Sequence, residues 1–169
     1  MFSLLISKHS STTTPVEGTS DERREMADTK YGKYIITEPK PNVWDMEEGN
    51  VKDGPDVMTP VAYLDNKVLD GAFYVESSWF WKANQFSPPA HTHDFDEVLA
   101  FFGSNPEAPH DLCGEVELWL DDEKHILTKS CFVFIPRGLK HCPMLILRAD
   151  RPIFHFAAGN ANRYVKEKQ

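Results

Sequence analysis

The stretch Pro89-Ala90-His91-Thr92-His93-Asp94-Phe95-Asp96-Glu97 sets two histidines two apart and a glutamate four further on. Residues two apart on a β-strand point to the same face. His91 and His93 therefore aim both imidazoles at one point. A straight strand would carry Glu97 about 13 Å past His93, out of reach of that point. The chain must turn in between, and Asp94-Phe95-Asp96 suits a turn. Glu97 then opens the returning strand, so three candidate ligands come from a single β-corner.

Pro136-Arg137-Gly138-Leu139-Lys140-His141 repeats the logic. Phe132-Val133-Phe134-Ile135 reads as a strand, Pro136-Arg137-Gly138 as a turn, and His141 as the opening of the next strand. Proline fixes one backbone angle and glycine permits positive φ, which specifies the turn. The two corners predict a metal site of His91, His93, Glu97 and His141. Neutral imidazoles and a carboxylate suit Fe, Mn, Ni, Cu or Zn. On an octahedral ion they leave room for water, oxygen or a chelating small molecule.

The rest of the chain agrees with a β-domain around this site. Its 169 residues suit one domain with a sizeable core. Eleven Phe, five Tyr and four Trp, with twelve prolines as punctuation, favour strands over a helical bundle. The net charge is −8 and no Lys/Arg stripe is visible, which argues against nucleic acid and anionic membranes as partners. Cys113, Cys131 and Cys142 are odd in number and lack C-x-x-C spacing. Reduced thiols in a cytoplasmic protein are the expectation. Met1 to Ile6 is too short for the apolar core of a secretion signal, and Met26 is an alternative start. No apolar run reaches transmembrane length.

Residues 1–30 are Ser/Thr-rich and then charged, and read as a flexible tail. An arm and loop follow over 31–56, with Lys33 to Thr37 as a short β-type run. Strands are expected at Val57–Tyr63, Ala72–Lys82 and Glu97–Phe102. A hairpin pairs Val116–Leu120 with His125–Leu127 across the turn Asp121-Asp122-Glu123-Lys124. Further strands are expected at Cys131–Ile135, Met144–Leu147 and Ile153–Ala158. Gly103 to Gly114 reads as the largest irregular loop. Residues 159–169 read as a short tail or helix. About nine short strands at this spacing predict a sandwich or barrel spanning 57–158.

His91-x-His93-x3-Glu97 resembles the first conserved motif of the cupin superfamily, and Pro136-x-Gly138-x2-His141 resembles the second. The resemblance covers roughly residues 57–158. It implies an all-β cupin fold, a double-stranded β-helix or jelly-roll barrel, here with an N-terminal extension. It also implies one divalent transition metal, Fe(II) foremost, on His91, His93, Glu97 and His141. The sequence departs from the motifs at Gln85, Ser130 and Leu145, and at Gly103, which stands one residue early. These positions govern turns and packing rather than ligands. The resemblance further implies a small-molecule substrate and a homodimer.

Three functions fit such a site. The first is a dioxygenase using O2, acting on a hydrophobic or aromatic molecule in a pocket lined by Phe and Trp. The second is a non-redox isomerase, decarboxylase or lyase, which needs a base near the metal from His155, Glu76 or a tyrosine. The third is a binding or sensing protein without turnover. His155 is the candidate catalytic residue if it faces inward, although an outward-facing surface histidine is the simpler expectation. Arg137 and Lys140 flank the second corner and could meet a substrate carboxylate, and Arg148 is expected to pair with Asp150. Strand alternation turns Cys142 away from the metal. The aromatic run Phe73, Tyr74, Trp79, Phe80 and Trp81 is expected to divide between core and subunit interface.

Overall fold

The computed structural model describes residues 29–40, 54, 56–84 and 87–164. The tail expected over 1–28, most of the loop over 41–56, and Gln85 lie outside these residues. The chain divides into two compact units, Met1–Ile35 and Ile36–Gln169. In the first, a single 3-10 turn spans Gly32–Tyr34. Hydrogen bonds from Tyr34 N to Tyr31 O (3.0 Å) and from Ile35 N to Gly32 O (2.9 Å) close it. The β-type run expected from Lys33 is therefore a turn. Its apolar residues Tyr34 and Ile35 are exposed, with no sheet face to pack on.

The second unit holds eight strands: β1 Met58–Leu64, β2 Tyr74–Phe80, β3 Glu97–Gly103, β4 Asp111–Leu120, β5 Glu123–Lys129, β6 Cys131–Ile135, β7 His141–Ala149 and β8 Ile153–Gly159. They form a five-stranded sheet in the order β1-β2-β8-β3-β6 and a three-stranded sheet in the order β5-β4-β7. Every pairing is antiparallel. The β4–β5 hairpin closes over Asp121-Asp122, with Leu120 opposite Glu123 and Asp121 at φ 53°. That positive φ is what a two-residue hairpin turn demands. The strand β4 starts earlier than the sequence suggests, so the loop expected over 103–114 shortens to 104–110. Residues 160–164 form no helix.

The core lies between the sheets. Alternation sends Tyr74 and Phe80 of β2, Leu99 and Phe101 of β3, Val116 and Leu118 of β4, Met144 and Ile146 of β7, and Ile153 and Ala157 of β8 inward, where all are buried. The opposite face of the five-stranded sheet is unusual. Its cross-strand rows are Leu64, Val75, Ala158, Val98 and Phe134; Ala62, Ser77, Phe156, Ala100 and Phe132; and Thr59, Trp79, Phe154 and Phe102. No charged residue stands among them. The rings form a continuous ladder: Trp81–Trp79 at 5.7 Å, Trp79–Phe154 at 5.0 Å, Phe154–Phe156 at 6.5 Å, Phe156–Phe132 at 6.1 Å and Phe132–Phe102 at 5.3 Å. Phe132 and Phe134 remain 64% and 60% exposed. The aromatic run on β2 thus divides as its period dictates: Tyr74 and Phe80 face the core, Trp79 and Trp81 the outside. No helix among the described residues is long and apolar enough to cross a membrane.

Candidate metal centre

Both corners form as their residues require. Pro136-Arg137-Gly138-Leu139 is a turn closed by Leu139 N to Pro136 O (3.0 Å), with Gly138 at φ 80°. A side chain disfavours that φ, and glycine does not. The corners are stitched together by backbone bonds. His91 and His141 exchange N–H···O bonds of 3.1 and 3.0 Å, and Gly138 N donates to His93 O at 2.9 Å. Asp96 adds side-chain stitches: its carboxylate accepts from Arg137 N (2.9 Å) and from Asn160 Nδ2 (3.3 Å). Phe95 lies buried under the first corner, stacked on His93 at 4.6 Å and 17°. It fills the space over Gly159, where a Cβ would sit 2.4 Å from its ring. Only glycine fits there.

All four predicted ligands are buried and converge. His91, His93, Glu97 and His141 are between 1% and 5% exposed. Glu97 Oε2 lies 3.2 Å from His141 Nε2 and 3.6 Å from His93 Nε2. The His91 ring is centred 4.4 Å from that of His141 and 4.8 Å from that of His93. Ligand bonds of about 2.1 Å at right angles put neighbouring donors about 3 Å apart, so the spacings of His93, Glu97 and His141 suit one ion, while His91 groups with His141 and Cys142. The ring orientations fit as well. His91 Nδ1 donates to Pro89 O (2.7 Å) and His141 Nδ1 to Leu139 O (3.0 Å). Each ring thereby presents an Nε2 lone pair to the centre, the tautomer a metal needs.

Two residues join the centre that the sequence did not point to. Cys142 was expected to face away. Instead, Cys142 has φ 72°, and the β4–β7 register slips by one between Leu118 and Leu120. The bulge cancels the alternation. Cys142 is buried, and its sulfur lies within 4.8 Å of ring nitrogens of His91 and His141. Pro143, inside β7 at the edge of its sheet, is compatible with such a bulge. The second residue is Tyr164, in the expected tail. Its hydroxyl is 3.1 Å from His91 Nε2, and its ring lies 4.9 Å from His93 and 4.9 Å from Tyr74. Burial, then the charge of Glu97, pushes its phenol pKa well up. A lone tyrosine in a polar terminal segment gives little warning of this.

His155 faces inward, buried on β8, and not outward as the simpler expectation had it. It pairs with Phe101, four residues along β3 from Glu97, or about 13 Å down the barrel. Its Nδ1 donates to Ala100 O (2.9 Å), and it stacks on Phe101 at 4.8 Å. Burial lowers its pKa to about 4, partly offset by the Ala100 carbonyl and Glu97. Glu76 is half-buried on the inward face of β2, opposite Ala157, one inward step below the level of Glu97. Lys140 is held by Asp121 at 2.6 Å, and Arg148 pairs with Glu115 (3.0 Å) as well as Asp150.

Among the described residues, many of the Phe and Trp rings lie away from these candidate ligands. Phe102, Phe132, Phe134, Phe154, Phe156, Trp79 and Trp81 are on the outer sheet face, because each occupies an outward position of its strand or continues that row. The rings beside the ligands are those of Phe95, Tyr74 and Tyr164.

Eight antiparallel strands in two facing sheets, with a His-x-His corner and a Pro-x-Gly corner meeting at one end, form the all-β double-sheet barrel expected from the sequence. No family model and no curated protein matches the sequence. Solved structures similar to it include an oxalate oxidase in complex with glycolate, 15% identical, TM-score 0.47, covering 68% of this chain and 56% of that one. Another is the polyketide cyclase RemF from Streptomyces resistomycificus, 19% identical, TM-score 0.45, covering 73% and 77%. A third is KdgF from Halomonas sp., 16% identical, TM-score 0.40, covering 67% and 84%. The chain thus spans little more than half the length of the oxalate oxidase it matches. None of these likenesses assigns a reaction.

Proposed function

We propose that this chain is a metal-dependent enzyme acting on a small molecule, with O2-dependent oxidation at an Fe(II) centre as its reaction. The observation that supports the reading is the buried group His93, Glu97 and His141, with His91 beside His141 and the ring tautomers of His91 and His141 suited to ligation. Iron held by these residues would activate O2, with the substrate as the net source of electrons. The chain's own residues hold the ligands in register, through the His91–His141 backbone pair and Asp96, and keep bulk water out. Anaerobic purification, metal analysis and oxygen-uptake assays test this. Iron at one per chain with substrate-dependent oxygen consumption is expected, and turnover that persists at full rate without oxygen would sink the oxidative reading.

Tyr164 and Glu76 favour a second reading, in which the same centre acts without redox as an isomerase, decarboxylase or lyase. Tyr164 holds a phenolic proton beside His91 and Glu76 places a carboxylate one inward step from Glu97, whereas His155 lies deeper. The same assay separates the two readings.

The outer face of the five-stranded sheet supports a homodimer. Three rows of side chains on five strands cover on the order of 500 Å², over half of the ~800 Å² that each partner of a stable pair buries. A second copy is the occupant that fits: the face carries no charge, while the chain as a whole is at −8. Light scattering is expected to give a dimer that Phe132→Glu with Phe156→Glu converts to a monomer. A monomeric wild-type chain would overturn the homodimer.

A further inference from the structure

The segment after β8 is a strap rather than a loose end. Asn160 N donates to Asp96 O (3.2 Å), Tyr74 N to Ala161 O (2.8 Å) and Asn66 N to Asn162 O (2.8 Å). Asn160 Oδ1 also accepts from Asp96 N at 3.1 Å. These bonds fix the strap to the first corner, to the start of β2 and to the β1–β2 loop. Tyr164 stands at its far end, with its ring against Tyr74 and His93.

The direction of the Tyr164–His91 bond follows from the tautomer. His91 Nδ1 carries its hydrogen, because it donates to Pro89 O at 2.7 Å. Nε2 is therefore the acceptor, and the phenol O–H donates to it across 3.1 Å. That nitrogen has one lone pair, so it serves either the phenol or an ion. Ligation through Nε2 releases the phenol, and the strap keeps it beside the centre.

We propose that Tyr164 is a tethered hydrogen-bond donor for a metal ligand of one chemical class, a small molecule bound through a carboxylate or enolate oxygen. This rests on the metal-centre reading above. The chemistry favours an anionic oxygen. The phenol offers a single neutral O–H, and a divalent ion held by the three imidazoles and Glu97 retains net positive charge to be met. The surrounding rings exclude competing water.

Acetate is the probe, and the visible spectrum of cobalt-loaded protein is the readout, so no turnover is needed. Tyr164→Phe keeps the ring between Tyr74 and His93 and removes only the hydroxyl. It is expected to take up one cobalt per chain, as the wild type does, but to bind acetate about 10-fold or more weakly, the loss typical of one hydrogen bond to a charged group. Acetate affinity within twofold of wild type overturns the role of Tyr164 and leaves the metal centre standing. Failure of the wild-type chain to bind cobalt overturns the metal centre itself, and this role with it. Should the Phe variant lose cobalt, Asn160→Ala is read in the same way, since it keeps the phenol and cuts the strap's side-chain tie to Asp96.

Discussion

Replacing His141 with alanine is expected to weaken metal binding by more than about 100-fold, because even residues that only orient ligands are worth 10–100-fold. His141 is the ligand the other three share. Its Nε2 is 3.2 Å from Glu97 Oε2, and its ring is centred 4.4 Å from His91 and 5.1 Å from His93. The substitution keeps the backbone pair with His91, so the corners stay stitched and the effect falls on ligation. His125→Ala is the control. That ring sits on β5, partly exposed beside Glu123, and its loss is expected to leave affinity unchanged. Calorimetric titration with zinc or cobalt checks both. Retention of one ion per chain by the His141 variant, with affinity within threefold of wild type, would remove the site from its assigned residues.

A pH-dependent loss of stability centred on His155 is the second large effect. Its folded pKa is about 4, against an ordinary value near 6.5. The unfolded chain therefore gains a proton below about pH 6.5, while the folded chain resists until about pH 4. Stability is fully present at neutral pH. It is lost as pH falls through that window, then levels off once both states are protonated. The difference corresponds to about 3 kcal/mol. Other groups titrate over the same range, so the informative quantity is the gap between wild type and His155→Phe. Phenylalanine suits the slot between Phe80 and Phe101, whose ring centroids lie 5.9 and 4.8 Å from His155. Denaturant melts at pH 7.5 and pH 4 are expected to show the variant losing about 3 kcal/mol less than wild type. Parallel pH profiles for the two proteins would mean that His155 is not held neutral.

The placement of the candidate ligands at two β-corners was legible in the sequence because the information that sets it is local. His91, His93 and Glu97 are read from strand period and strand length, and Gly138 from the φ its turn requires. The β4–β5 hairpin was legible for the same reason. What escaped depends on partners distant in the chain. Tyr34 and Ile35 look like strand residues, but strands need neighbours, and the turn bonds of Gly32–Tyr34 took precedence. Cys142 obeys alternation until the register slips against β4, which only Pro143 hinted at. Tyr164 reaches His91 because Ala161 and Asn162 accept bonds from residues about ninety positions earlier. The number of aromatic residues was plain, but which side of the sheet they cover was not. That depends on the register of β3, β6 and β8, and it turned most of them away from the ligands.

Asp96 ties together three parts of this molecule: the first corner, to which it belongs, the second corner through Arg137 N, and the strap through Asn160. Each of these parts therefore leans on the same carboxylate or amide, and the arrangement of the candidate ligands is set by folding. A metal site built this way would meet its ion with ordering entropy already spent, and its affinity and local rigidity should rise and fall together.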